Sequence, residues 1–254
     1  MFKRIYISLK NIFRSKKMDI WKNQLYIKDL EILLTLITRY EIEGNFKAIN
    51  DVIETLRLKE FVDYEFTDLE FAINGSIQGT LPKEETFNYC IVKFDNKVAI
   101  TNPITQNIDN LHIYSLDLKI ELYKSKLNKK DPRFSSWHLD KEKNPENCKY
   151  THPYYHLQFG GKKLENIEVG LGIISAPRIP HPPMDIILAF HFIINNFYNN
   201  KNFDFVKNLL LDPDYIRILK NSQERVWVDY FKAYQLNNKH KDYCIEKVFP
   251  LYIN

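Results

Sequence analysis

Cysteine is scarce in this sequence: Cys90, Cys148 and Cys244 are the only three in 254 residues, odd in number, far apart and without a CxxC pair. That excludes a disulfide framework and signals no thiolate zinc site, so a reducing, cytosolic compartment is expected. Glycine is also sparse, at seven residues. Gly170-Leu-Gly172 stands alone and Gly160-Gly161 lacks the other motif positions, so Walker and dinucleotide-binding loops are absent. Ser135, Ser136 and Ser175 have no GxSxG elbow around them, and Cys148 has no diagnostic neighbour, which leaves nucleophilic catalysis unsupported. No apolar run approaches the roughly 20 residues that span a bilayer. The longest, Ile186 to Ile194, contains His191 and reads as a buried globular helix. No secretory leader is expected either, because the first residues lack an apolar core and a small-residue cleavage site.

No Ser/Gly-rich linker, acidic tract or repeat interrupts the chain, so one continuous unit is expected: a basic segment over 1–20, then a single α+β domain over 21–254. What the sequence does have is aromatic surface, with 16 Tyr, 17 Phe and 3 Trp, the opposite of a disordered composition. Its abundance of Asn, Lys and Ile suits an AT-rich bacterial genome. Charge is unevenly placed. Residues 1–17 carry Lys3, Arg4, Lys10, Arg14, Lys16 and Lys17 with no acid, while the net charge of the whole chain is only +4. Phe2, Ile5, Leu9, Ile12 and Phe13 fall at helical spacing there. Two readings follow: a basic amphipathic helix that rests on nucleic acid, an anionic surface or an acidic partner, or a solvated end whose apolar side docks on its own domain.

The periodicity changes along the chain in a readable order. Leu25 to Ile42 repeats apolar residues at three- and four-residue steps and stops at Gly44, and Ala48 to Leu56 continues as a second helix, giving a helical hairpin over 21–60. From Phe61 the period drops to two. Val62 to Ile73 predicts a strand pair or one bulged strand, and Tyr89 to Phe94, Val98 to Ile100 and Leu111 to Tyr123 carry the same alternation. Phe134 to Asp140 and Tyr154 to Phe159 complete an antiparallel meander over 61–160. The proline-rich stretch Ser175 to Asp185 then leads into an almost wholly apolar helix from Met184 to about Phe197, with Asp185 in its first turn. Phe203 to Leu211, Asp214 to Leu219, Ser222 to Tyr234 with Ser222 as cap, and a short piece around Ile245 make the region 183–254 helical. The fold class expected is α+β: an N-terminal helical hairpin, a central antiparallel β-meander sheet, and C-terminal helices packed on the sheet.

Functional chemistry concentrates between Trp137 and Asp185, where His138, Asp140, His152, His156, His181 and Asp185 lie among Gly and Pro. Imidazoles and carboxylates titrate or ligate near neutral pH, and Gly and Pro fix the loops that present them. In an extended chain Trp137 and Leu139 oppose His138 and Asp140, and Tyr155, Leu157 and Phe159 oppose Tyr154, His156 and Gln158. If both apolar sets enter one core, His138, Asp140, His156 and Gln158 share the other surface, since facing residues on paired strands sit about 5 Å apart. Three chemistries draw on this set. A divalent metal would take ligands from His138, Asp140, His156 and His181; His152 and His156, some 13 Å apart on a straight strand, reach one ion only if the chain bends at Pro153. Metal-free hydrolysis would use His138 or His156 as base, Asp140 to orient it, Arg178 to hold a phosphate or carboxylate, and His181 close by. A binding surface would use Trp137, His152, Tyr154, Gln158 and Asp185 beside them, because aromatics and Arg supply most of the energy at protein interfaces. Each imidazole also has a purely structural reading, as a hydrogen-bonded pin for a loop or helix end.

The order of helix, strand meander, His-Pro segment and trailing helix over Leu25 to Tyr198 is similar to that of ubiquitin-conjugating and RWD-type domains. Those enzymes carry a cysteine shortly after the His-Pro segment. Here the next cysteine after His181 is Cys244, so the resemblance implies an adaptor without conjugating activity. The function expected is that of a binding or regulatory component of a bacterial multi-protein assembly. The alternative is a His- or metal-dependent hydrolase of the nuclease or phosphoesterase kind.

Overall fold

The computed structural model describes residues 21–75, 87–102, 110–144, 152–160, 178–198 and 203–232. The basic segment 1–17 and the short helix expected around Ile245 lie outside them. Two helices, α1 (Asn23–Arg39) and α2 (Lys47–Arg57), bracket the two-residue strand β1 (Gly44–Asn45), and β2 (Asp63–Asn74), β3 (Tyr89–Ile100), β4 (Leu111–Tyr123), β5 (Arg133–Lys141), β6 (Tyr155–Phe159) and β7 (Ile179–Pro180) follow. The chain then turns helical again in α3 (Ile186–Phe197), α4 (Phe205–Leu211) and α5 (Pro213–Lys232). All seven strands join one antiparallel sheet in sequence order, β1 to β7. The expected α+β architecture is therefore present.

The alternation that specifies the sheet survives an interruption. On β2, Tyr64 and Phe66 point inward, the register shifts between Phe66 and Leu69, and Leu69, Phe71 and Ile73 then resume on the inner face. One extra residue, with Thr67 and Asp68 together opposing Asp95, lets the inward set change from even to odd positions, so Val62 to Ile73 is one bulged strand. Asp68 takes the left-handed conformation at φ 58° in the bulge, and its N–H donates to Asp95 Oδ1 at 2.8 Å. Tyr89 to Ile100, expected as two pieces, runs as one central strand.

The helices cover one face of this sheet. Phe190 of α3 lies over Phe71 with ring centroids 5.5 Å apart. Tyr26 of α1 packs over Tyr64 at 5.9 Å. Helix α3 buries seven of its side chains, as its nearly all-round apolar sequence requires. Asp185 is its N-cap, one position before the first turn, and its Oδ1 accepts the N–H groups of Ile187 and Leu188 at 3.1 Å. Ser222 is no helix cap. Helix α5 runs unbroken from Pro213 to Lys232 because Asp212, just ahead of Pro213, accepts the N–H of Asp214 at 2.8 Å. Ser222 therefore falls mid-helix, where its hydroxyl donates to the Asp185 carboxylate in the core.

At the centre of the helical layer sits Arg225, 2% exposed, between Asp29 of α1 and Asp185. Its Nη1 donates to Asp29 Oδ2 at 2.9 Å, and its guanidinium stacks 4.6 Å from the Tyr26 ring centroid. Burial alone would lower the guanidinium's pKa, but the carboxylates of Asp185 and Asp29 outweigh it and hold the group charged. From there a chain of hydrogen bonds crosses the core. The Tyr26 hydroxyl bonds that of Tyr64 at 3.1 Å. Tyr64 donates to Asn96 Oδ1 at 2.8 Å, and Asn96 Nδ2 to the Ser115 carbonyl at 2.9 Å. The start of α3 is held separately over β4, where the Tyr114 hydroxyl accepts the Met184 N–H at 2.7 Å.

Replacing Arg225 with Met, similar in length and uncharged, strands two buried carboxylates and should cost about 3–5 kcal/mol of folding stability. Urea unfolding followed by circular dichroism measures it, and a loss under about 1 kcal/mol would show the triad to be dispensable.

Candidate functional site

The face of the sheet turned away from the helices is polar, and register brings its residues into rows. One row runs Lys97, Ser115, Asp140, His156 and Pro180 across β3 to β7. The next runs Asp95, Asp117, His138 and Gln158. Leu116, Leu139 and Leu157 alternate with these rows and point toward the core. The single fact that apolar residues of β5 and β6 face the helices places the imidazoles opposite.

A half-open cleft of about 970 Å³ lies over these rows. Its floor is Ser115, His138, Asp140, His156 and Gln158, with Lys97 on one side and Arg178 on the other. The β5–β6 connection supplies Lys141, Glu142, Lys143, His152 and Tyr154, and β4 adds His112, Ile113 and Tyr114. Four cations meet two carboxylates along this lining. Three cleft imidazoles are tied to the protein or stand near a carboxylate. His152 Nε2 lies 2.8 Å from Glu142 Oε2. His138 Nε2 is 3.6 Å from Asp140 Oδ2, longer than a hydrogen bond. His156, 4% exposed, bonds through Nδ1 to the Pro153 carbonyl at 3.1 Å. A carbonyl can only accept, so Nδ1 carries the proton and Nε2 has the lone pair.

Strand β6 begins only at Tyr155, so His152 and Pro153 lie before it and the chain bends there. The bend brings the His152 and His156 rings to 4.8 Å between centroids, edge to face, where a straight strand would hold them far apart. Burial pushes the His156 pKa down to about 4; the Pro153 carbonyl opposes this, and the nearby His152, Arg178 and His138 add to it. His156 is thus neutral at physiological pH. Lys141 is occupied elsewhere, donating to the Leu111 carbonyl at 2.5 Å and lying 5.0 Å over the Tyr154 ring, and Lys97 pairs with Glu65 at 2.6 Å.

Of the residues expected at the site, the cleft gathers His138, Asp140, His152, Tyr154, His156, Gln158 and Arg178. Trp137, His181 and Asp185 stand elsewhere. Trp137 packs on the core side against Phe159 at 5.2 Å. His181 donates through Nδ1 to the Pro182 carbonyl at 2.7 Å, and burial lowers its pKa. Asp185 is consumed by the Arg225 triad. Among the described residues no three His, Cys, Asp or Glu side chains converge as a ligand set, so His138, Asp140, His156 and His181 form no common metal site there. Lys97, His112, Ser115, Lys141, Glu142 and Lys143 join the lining without having been singled out from the sequence. Parity in β3 and β4 points Lys97 and Ser115 outward, but only the register shows that they meet Asp140. No family model, curated protein or solved structure matches the chain.

The depressed His156 pKa has a defined sign in stability. Between its ordinary value of 6.5 and about 4, the unfolded chain takes up a proton that the fold refuses. The contribution is complete above pH 6.5 and is lost as pH falls toward 4, by about 2–3 kcal/mol. In H156Q, where the amide can still donate to Pro153, the slope of unfolding free energy against pH should flatten across this window relative to the parent. Parallel slopes in the two proteins would remove His156 as the cause.

Proposed function

We propose that this chain is a binding component of an intracellular bacterial protein assembly, and that the cleft on the open face of its sheet is the surface that recognises a partner protein. The observation that carries this reading is the engagement of the cleft's own groups: His152 is held by Glu142 and His156 by the Pro153 carbonyl, at the β5–β6 side of the antiparallel sheet. A rigid wall with aromatic, imidazole and guanidinium groups suits recognition, where little ordering cost is added on association. The hydrolase alternative is weaker on two counts. A general base works best with a pKa near the operating pH, and His156 sits at about 4. Asp140 stands too far from His138 to orient it by a hydrogen bond.

Affinity capture from the cells that make the protein, followed by measured dissociation constants for the recovered partner, tests the reading. H138A, H152A and R178A should each weaken binding by about 1–2 kcal/mol, in graded steps. K220A, on exposed helical surface, should leave affinity unchanged. A partner that binds the triple variant as well as the parent, or a phosphodiesterase activity that H138A or H156A alone abolishes, would overturn the proposal.

A further inference from the structure

Within the cleft one cation carries a buried donor without an acceptor among the described residues, whereas Lys143 is exposed to solvent. Arg178 lies immediately before β7, and its Nε is buried with no hydrogen-bond partner among the described residues. A buried N–H without an acceptor costs about 1–3 kcal/mol, and an incoming oxyanion removes that cost. The carboxylates of the lining do not fill the role: Glu142 is 2.8 Å from His152, and Asp140 stands nearest His138 among the imidazoles. The Nε edge of a guanidinium presents two parallel N–H groups, the geometry that a planar carboxylate meets with both oxygens. A singly charged group also suits the surroundings, since Lys97 and Lys141 are engaged by Glu65 and by the Leu111 carbonyl.

At its other end the cleft runs into an apolar hollow. His112 and Ile113 line both spaces, and the hollow continues over Phe61, Ala99 and Ile100, with Lys59 and Asp63 paired at 2.7 Å on its rim. Ile113 is 39% exposed there, unusual for an isoleucine in the middle of a sheet. Three strand spacings separate Ile113 on β4 from β7, about 14 Å at roughly 4.8 Å each. Arg178 is level with Asp117, four residues or about 13 Å along the strands from Ile113, so the two ends are about 20 Å apart. An extended chain advances about 3.3 Å per residue, so about six or seven residues bridge the two ends.

Resting on the binding role proposed above, we infer that the cleft takes an extended acidic peptide segment of the partner, with a Glu or Asp carboxylate on Arg178 and an apolar side chain, about six residues away, in the hollow at Ile113. The segment crosses the strands on the open face, over His156 and Ser115. Neutral His156 adds an acceptor for a peptide N–H as the chain passes, without repelling or attracting the carboxylate beside it.

Capped peptides with one Glu and one Leu, separated by one to nine Gly-Ser residues, test this on the full chain by NMR, read at the Arg178 Nε–H and the Ile113 δ1 methyl. The Arg178 signal should shift with every acidic peptide. The Ile113 methyl should shift, and affinity peak, at a separation near six. Gln in place of Glu, and R178Q in the protein, should each weaken binding about tenfold; if R178Q does not fold, the Gln peptide on the unaltered chain makes the same comparison. An unmoved Arg178 signal, equal binding of Glu and Gln peptides, or a phosphoserine peptide held tenfold tighter than its Glu counterpart would overturn the carboxylate assignment. If cleft substitutions still release the captured partner in that case, the binding role stands and only the ligand class falls. If they do not release it, the role falls as well.

Discussion

The position of Arg225 between two carboxylates is the constraint on which the helical layer depends. Asp29 and Arg225 are separated by 196 residues in sequence, and Asp185 caps the helix that lies against the sheet. A single guanidinium therefore ties α1, α3 and α5 at one point, with Ser222 and Tyr26 completing its surroundings. Such a triad adds little net stability over an apolar packing of the same shape, because three charges leave water to form it. What it supplies is uniqueness. Sliding α5 by one turn along α1 would leave a charge buried without a partner, whereas a purely apolar interface would tolerate the slip.

That fixed layer determines where chemistry is exposed. All the helices in the described residues that pack on the sheet do so on one face, and the strand alternation then sends Asp140, His156 and Lys97 to the other. The hydrogen-bond chain from Tyr26 through Tyr64 and Asn96 ends on the Ser115 carbonyl, so the floor of the cleft is braced from the core beneath it. Burial of the helical face and rigidity of the cleft are two results of the same arrangement. Three of the cleft's imidazoles differ in role for local reasons: His156 lies under the surface, His152 faces Glu142, and His138 stands near Asp140 but beyond hydrogen-bond distance.

Much of this was legible in the residues. The parity of Trp137 to Asp140 and of Tyr155 to Phe159 is enough to place His138, Asp140, His156 and Gln158 on one surface, and the apolar density of Ile186 to Phe197 is enough to make that helix central. Other features depend on contacts that no local pattern records. Asp185 carries the sequence signature of a functional carboxylate, but its partner is Arg225, forty residues on, and nothing in either neighbourhood announces the pairing. Of the two arrangements open to His152 and His156, the bend ahead of β6 selects the close one, which spacing alone could not decide. Ser222 resembles a cap by residue type, yet Asp212 already starts the helix ten positions earlier. Arg178 is marked in the sequence only by its company, since its significance lies in an Nε without a partner among the described residues, which is visible only in three dimensions.

The strict order of the sheet has a bearing on how the chain is made. Every strand pairs with its neighbour in sequence, so the meander closes by short steps that need no distant segment. The cover over its apolar face is different: α3 and α5 come from the last third, and Arg225 arrives only after nearly the whole sheet has left the ribosome. During synthesis a nearly complete sheet therefore waits with α1 and α2 to hand but the area that α3 and α5 cover still bare, a state open to edge pairing and aggregation. Yield of folded protein therefore depends on how soon residues 186–225 follow the sheet, and not on the stability of the finished fold alone.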